Sequence, residues 1–421
     1  MRKHETPVIT LHSHWQVTMV NLSENILSKY SLNLVSINMK PNEDIYQIIE
    51  SIRANAALPD ECAEGTPPLA YISKDLLEIE LDHIFAKEWV CVGREDEFSL
   101  PGDYKTMMIG RDPVIILRDK GGILRAMSNV CRHRMATLLE GKGRLKSGIS
   151  CPYHAWTYNL EGQLVGASYM RDNFDKKSVC LPQFSLEVWN GWVYVNLDAD
   201  ATPLSPRLEA LSSHYQNYQM DQYETLFRAE EIWDTNWKIL AQNFMEGYHL
   251  FVAHSKTIEP AMPTEMANAL HGGEAYSLYE QGRIPGKSYE RTTNTPIKNM
   301  KLTDEEKNKA VLFSVFPSHV VSVVAERTFW LSLQPHGVGQ VRVLWGVDVF
   351  PGSIPDGISK ENYAKELKAG FDAINEEDKP IVGMIFQNAK ASVAKPGRLS
   401  PKERTLWYFQ RYLAKMLSVM D

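Results

Sequence analysis

Two short segments carry residues whose types and spacing can hold metal. Cys131-Arg132-His133 and Cys151-Pro152-Tyr153-His154 each offer one thiolate and one imidazole within a few residues. Seventeen residues separate His133 from Cys151, enough for two loops to clamp one centre between them. A structural zinc site usually pairs cysteine with cysteine and histidine with histidine, as C-x-x-C and then H-x-x-x-H. Mixed pairs in both loops instead suit a [2Fe–2S] cluster in which two cysteines hold one iron and two histidines the other. Each loop then serves both irons, so the loops must stay locked together. Gly143 and Gly148 are expected to loosen the intervening segment, and Pro152 to stiffen the second loop. Imidazole in place of thiolate leaves the cluster less negative and raises its potential. Such a centre takes an electron from a flavin or ferredoxin and hands it on.

A second set lies in the run Asn236-Trp237-Lys238 … Asn243-Phe244-Met245-Glu246-Gly247-Tyr248-His249 … His254. Non-haem iron oxygenases bind iron through two histidines and one carboxylate, leaving positions open. His249 and His254 are five residues apart, which on a regular helix sets the side chains about 140° apart. The helix must therefore loosen or end near Phe251–Ala253. The i, i+4 histidine pair of a zinc metalloprotease is absent. A carboxylate partner is sought far downstream, in Glu376-Glu377-Asp378.

Cys131-Arg132-His133-Arg134 and Cys151-Pro152-Tyr153-His154-Ala155-Trp156-Thr157-Tyr158 closely resemble the cluster loops of Rieske non-haem iron oxygenase α subunits. The run from Asn236 to His254 is similar to the catalytic helix of the same family, and Arg398-Leu399-Ser400-Pro401 to its closing segment. The resemblance covers about 58–421. It implies a Rieske [2Fe–2S] cluster on Cys131, His133, Cys151 and His154. It implies a mononuclear Fe(II) on His249, His254 and Asp378, with O2 as co-substrate. Asn243 would lie near the iron, and Glu246 would link an iron histidine to a Rieske histidine of a neighbouring subunit in a homotrimer. The family usually has glycine after the first loop's C-R-H-R; here Met135 stands instead. Glu at 246 looks more like the branch acting on quaternary or methylated amines than like the arene dioxygenases, which leaves aromatic-ring hydroxylation as the alternative. Phe313, Phe316, Phe329 and Trp330 are candidates for an aromatic cage around a cationic head group. A pure electron carrier would lack the second metal set.

Net charge is −7, which disfavours broad nucleic-acid binding. No apolar run reaches the ~20 residues that span a bilayer, and no secretory h-region follows Met1, so a cytoplasmic location is expected. Five cysteines in a signal-free chain argue against a disulfide framework. No convincing nucleotide-binding fingerprint exists, since Gly141-x-Gly143 lacks a strand-to-helix context. NAD(P)H oxidation is therefore expected on a separate flavin/iron–sulfur reductase, or electrons from a ferredoxin. Arg132, Arg134, Lys142, Arg144 and Lys146 could form a basic collar that steers an acidic redox partner.

The elements that must position these residues follow from periodicity and punctuation. Residues 1–57 read as an extension, with a helix expected around Asn42–Ala56, tail histidines at His12 and His14, and Met39 as a candidate natural start. Residues 58–85 read as a helical segment packing on the catalytic domain, within an amphipathic pattern over Lys74–Trp89. Residues 86–200 read as an all-β domain, with strands at Trp89–Gly93, Lys105–Ile109, Val114–Arg118, Ile123–Asn129, Ala155–Asn159, Leu186–Trp189 and Trp192–Leu197. Residues 201–421 read as a catalytic domain. There Glu231–Ala253 passes from strand to helix, strands follow at Val311–Val315, Val320–Ala325, Thr328–Gln334 and Val341–Phe350, and helices at Lys360–Gln387 and Pro401–Leu417. The expected class is α+β: an all-β Rieske domain, then an antiparallel sheet wrapped around helices in helix-grip fashion.

Overall fold

The computed structural model describes residues 43–285, 287 and 295–420. His12, His14 and Met39 lie outside the described residues. Short runs of β-branched and aromatic residues between glycine and aspartate turns build two seven-stranded sheets. The first runs in the order Val90–Arg94, Trp192–Asn196, Gln183–Trp189, Leu124–Ser128, Asp112–Arg118, Asp103–Ile109, Lys142–Arg144, with antiparallel neighbours throughout. A small sheet of Ile149–Ser150, Thr157–Tyr158 and Leu164–Gly166 carries the second cysteine loop.

The second sheet is an antiparallel meander in the order Glu224–Trp233, Val341–Val349, Arg327–Pro335, His319–Val323, Lys309–Val315, Tyr276–Gly282, Ala267–Ala269. The helices Trp237–Phe244, Lys360–Asn388 and Arg404–Met416 bury their apolar faces on it. Trp237, Leu367, Phe371 and Phe409 share one core with Leu331 and Val343. The class is therefore α+β, a β domain followed by a sheet that grips helices. Val90–Arg94 and Trp192–Asn196 are buried at every position, because this edge of the first sheet lies against the second. The Ser332 hydroxyl donates to the Cys91 carbonyl across that seam (2.7 Å).

Several expectations need correcting. The strand leading into the catalytic helix is Glu224–Trp233, seven residues earlier than Glu231 suggested. The helix from Lys74 is regular only to Glu80 and closes in a wider turn over Leu81–Phe85. Ala155–Asn159 shrinks to Thr157–Tyr158, because Ala155 has φ +55° and cannot continue a strand. Gly148 is needed for close approach rather than looseness: a Cβ there would stand 2.5 Å from the Tyr158 carbonyl oxygen.

Candidate metal centres

The Asn236-Trp237-Lys238 stretch fixes the start of the catalytic helix. The Asn236 side chain accepts from the Lys238 N–H (3.0 Å). Buried Glu80 takes the Lys238 ammonium (2.6 Å) on one oxygen and the Trp237 indole N–H (2.8 Å) on the other. The helix ends at Phe244, and a second helix of one turn spans Leu250–Ala253. The break is made by side chains. Glu246 accepts the N–H groups of Tyr248 and His249, standing in for helix carbonyls. Gly247 fits because a Cβ there would meet Gln281 Oε1 at 3.1 Å and Ala267 Cβ at 3.2 Å. His249 and His254 thus flank a single turn, which lets both rings face one point. The helix does end at Ala253 as the spacing demanded, but the earlier break at Met245–Tyr248 was not foreseen.

His249 Nε2 lies 3.8 Å and His254 Nε2 3.2 Å from Asp378 Oδ1. Among the described residues, His249, His254 and Asp378 form a group whose ligand atoms lie within 4.8 Å of one another. Asp378 is 1% exposed, and its Oδ1 has no hydrogen-bond partner. A buried carboxylate oxygen in that state is costly unless a cation meets it. His249 Nδ1 pairs with Glu246 Oε1 (2.5 Å) and His254 Nδ1 with Glu377 Oε2 (2.7 Å). Carboxylates on both Nδ1 atoms assign the hydrogens there and leave both Nε2 lone pairs for a metal. Burial works against charging His249, but Glu246 and then Asp378 outweigh it and hold its pKa above the ordinary value. Two histidines and one carboxylate at this spacing fit a mononuclear iron. Glu377, weighed from sequence as a third-ligand candidate, instead holds His254. Glu376 is exposed and pairs with Lys379 (2.6 Å). Sequence reasoning also missed Thr257, whose hydroxyl donates to Glu377 Oε2 (2.6 Å).

A cavity of about 90 Å3 opens beside this centre. Phe244, Phe329, Phe371, Leu312 and Ile374 supply apolar wall, and Asn243 lines it with a buried, unpartnered Nδ2. Of the four aromatics expected at a cage, only Phe329 is here, stacked on Phe371 at 4.5 Å. Trp330 points to the opposite face of the strand, as alternation requires, and packs by His319. Phe313 packs on Trp189 and Trp192, and Phe316 on Phe409 and Tyr412.

The two cysteine loops are built alike. The Cys131 N–H reaches the Ala136 carbonyl (2.9 Å) and the Met135 N–H returns to the Cys131 carbonyl (3.0 Å). Cys151 repeats this with Trp156 (2.8 Å) and Ala155 (3.0 Å). Met135 and Ala155 both take left-handed backbone, φ +58° and +55°. Cys131 and Cys151 are buried, while His133 and His154 are exposed with ring centroids 4.7 Å apart. The Tyr158 hydroxyl lies 3.4 Å from Cys131 Sγ and accepts from the Arg132 N–H (3.1 Å). Inward thiols and outward imidazoles suit a cluster whose two irons differ in ligands. Of the basic residues nearby, Arg144 is tied to Asp103 (2.6 Å), which lessens its part in a collar.

Comparison with known proteins agrees with these two centres. The Rieske [2Fe-2S] domain family matches residues 88–185, and the ring hydroxylating alpha subunit (catalytic domain) family matches residues 208–419. The carnitine monooxygenase oxygenase subunit of Acinetobacter baumannii is 35% identical over 210 residues, 49% of this chain and 57% of that protein. The anthranilate 1,2-dioxygenase large subunit of Acinetobacter baylyi is 30% identical over 252 residues, 58% of this chain and 50% of that protein. The chain thus spans about half the length of these relatives. A crystal structure of a quaternary ammonium Rieske monooxygenase with L-carnitine superposes with a TM-score of 0.73 at 23% identity, covering 86% of this chain and 98% of that one, which shows a shared fold. Rieske-type cluster loops followed by a two-histidine, one-carboxylate centre, with family matches over both, place this chain among the ring-hydroxylating oxygenase alpha subunits, proteins with a [2Fe–2S] cluster and a mononuclear iron.

Proposed function

We propose that this chain is the terminal oxygenase of a multicomponent Rieske system. It hydroxylates, or oxidatively N-demethylates, a small quaternary-ammonium substrate with O2. The observation that carries this reading is the His249, His254 and Asp378 group opening on a cavity, in the same chain as the Cys131, His133, Cys151 and His154 loops. Cys131 and Cys151 would hold one cluster iron, His133 and His154 the other, and His249, His254 and Asp378 the mononuclear iron. When bound, the cluster supplies single electrons and the mononuclear iron binds and activates O2. The chain's own part is to hold geometry and exclude water. Glu246 and Glu377 fix the two imidazoles. Phe244, Phe329 and Phe371 give the cavity its apolar wall, and Asn243 brings a buried, unpartnered amide N–H to the same cavity.

Glu246, next to exposed Tyr248 and Phe251, would meet a Rieske histidine of a neighbouring subunit in a homotrimer. Electrons would come from an NAD(P)H-dependent flavin/iron–sulfur reductase or a ferredoxin, drawn by Arg132, Arg134, Lys142 and Lys146. We assign 58–85 to a segment packed on the catalytic domain, 86–200 to the Rieske domain and 201–421 to the catalytic domain. The Glu80 pair with Lys238 supports the first of these. No helix among the described residues is long and apolar enough to cross a membrane, and the cytoplasm is the proposed location. Glu246 and the carnitine monooxygenase relative favour the amine reading. The phenyl-lined cavity and the anthranilate dioxygenase relative favour ring hydroxylation as a second reading.

The test is substrate-dependent O2 uptake with a generic reductase, over betaines, carnitine-like amines and aromatic acids. Amines should accelerate uptake and release formaldehyde if demethylated. A colourless protein, or uptake indifferent to every substrate, would overturn the oxygenase reading. Uptake with aromatic acids alone would select the second.

A further inference from the structure

We propose that Glu377 is a positioning residue for the mononuclear metal. It fixes His254 as a strong ligand and, through Thr257, ties that ligand to the cavity wall. The proposal rests on the reading of His249, His254 and Asp378 as the iron ligands. Its basis is one carboxylate oxygen with two donors: Glu377 Oε2 takes His254 Nδ1 at 2.7 Å and the Thr257 hydroxyl at 2.6 Å. Glu377 precedes Asp378 on the helix Lys360–Asn388, so one turn delivers both a ligand and another ligand's support. Thr257 lies in the turn after His254, its N–H bonded to the His254 carbonyl (3.1 Å). Its neighbour Ile258, with Met262, lines the cavity. The Ile258 carbonyl accepts from the Met262 N–H (2.9 Å), so this stretch is a closed turn rather than a loose strap. The cavity-wall turn is therefore linked to the metal ligand through two hydrogen bonds, Thr257 to Glu377 and Glu377 to His254.

A carboxylate on the far nitrogen of a ligating histidine fixes the ring and raises its basicity. The negative charge should also favour the oxidised metal over the reduced one. With Glu246 and Glu377 on the two histidines and Asp378 as the candidate ligand, three carboxylates would surround a divalent ion bound there.

The experiment uses the full chain with its cluster loaded and its mononuclear iron removed. Cobalt(II) is titrated into the mononuclear site, and the midpoint potential is measured after iron is restored. Glu377→Ala should weaken cobalt binding about 10- to 100-fold. Glu377→Gln keeps the shape and an acceptor oxygen but loses the charge, so it should shift the iron potential upward and alter the cobalt visible spectrum. Thr257→Val should weaken binding less, and Thr257→Ser should restore it. Glu376→Gln, on the neighbouring exposed residue, should change none of these. Cobalt affinity, spectrum and potential that match wild type in both Glu377 variants would overturn the proposal while leaving the three-ligand reading intact. Full cobalt affinity in His249→Ala would instead remove that reading, and this proposal with it.

Discussion

Met135 holds a bulky side chain, 81% exposed, at φ +58°, where L-residues other than glycine pay about 1–2 kcal/mol. Ala155 bears the same conformation in the partner loop with a smaller side chain. Met135→Gly should therefore stabilise the protein by about 0.5–1 kcal/mol, the strain relief being partly offset by the greater freedom of glycine in the unfolded chain. Urea unfolding at fixed pH measures this, and a net loss of stability would show that the methionine makes a compensating contact. The departure from the family's glycine was legible in the sequence, but the backbone angle that gives it meaning was not. The histidines and Asp378 could be named from spacing and resemblance. Glu377 could not be assigned, because three adjacent acids look alike until the helix phase shows Asp378 inward and Glu377 on His254.

At the scale of elements, the five-residue spacing of the histidines demanded an irregular helix, and one is present. Where it breaks depends on partners distant in sequence. Gln281 and Ala267, from two strands of the second sheet, would stand 3.1 and 3.2 Å from a Cβ at position 247, closer than ordinary contact, so they would have to give by a few tenths of an ångström. Gly247→Ala should cost about 1–3 kcal/mol by overpacking and displace the turn before His249. A lowered melting temperature together with reduced iron content would be the expected result; unchanged iron content would show that the turn absorbs the methyl group. The strands of both sheets were read nearly to the residue where β-branched runs were bounded by turns. Lys142–Arg144, Tyr276–Gly282 and Ala267–Ala269 were missed, since charged residues, Gln and Asn interrupt the apolar pattern there.

At the scale of the molecule, the seam between the two sheets is held by buried polar contacts. The Tyr194 hydroxyl and His319 Nδ1 share a hydrogen bond (2.6 Å), and Arg94 Nε lies 3.6 Å from Asp348 Oδ2 of the facing sheet. Burial, with Arg94 adding, pushes His319 down to about 3 from 6.5. Between those values the unfolded chain binds a proton that the folded chain refuses, so stability rises with pH and levels off above about 6.5. The slope from this group is at most about 1.4 kcal/mol per pH unit. Urea midpoints at pH 5 and pH 7 should differ more in wild type than in His319→Gln, and an equal difference would count against His319. No sequence pattern announced this pair, because Tyr194 and His319 are 125 residues apart and meet only when the sheets do.

The single turn between His249 and His254 has a consequence for how the site comes together. Its backbone ladder is interrupted at the N-terminal side and finished at the C-terminal side, so little of its order is its own. Short segments with few internal hydrogen bonds sit at the low end of local stability. A metal joining both ends of that turn to the long helix would act as a rivet. Loading the metal and slowing amide hydrogen exchange across 245–254 then become one event, in a chain whose two sheets are already folded.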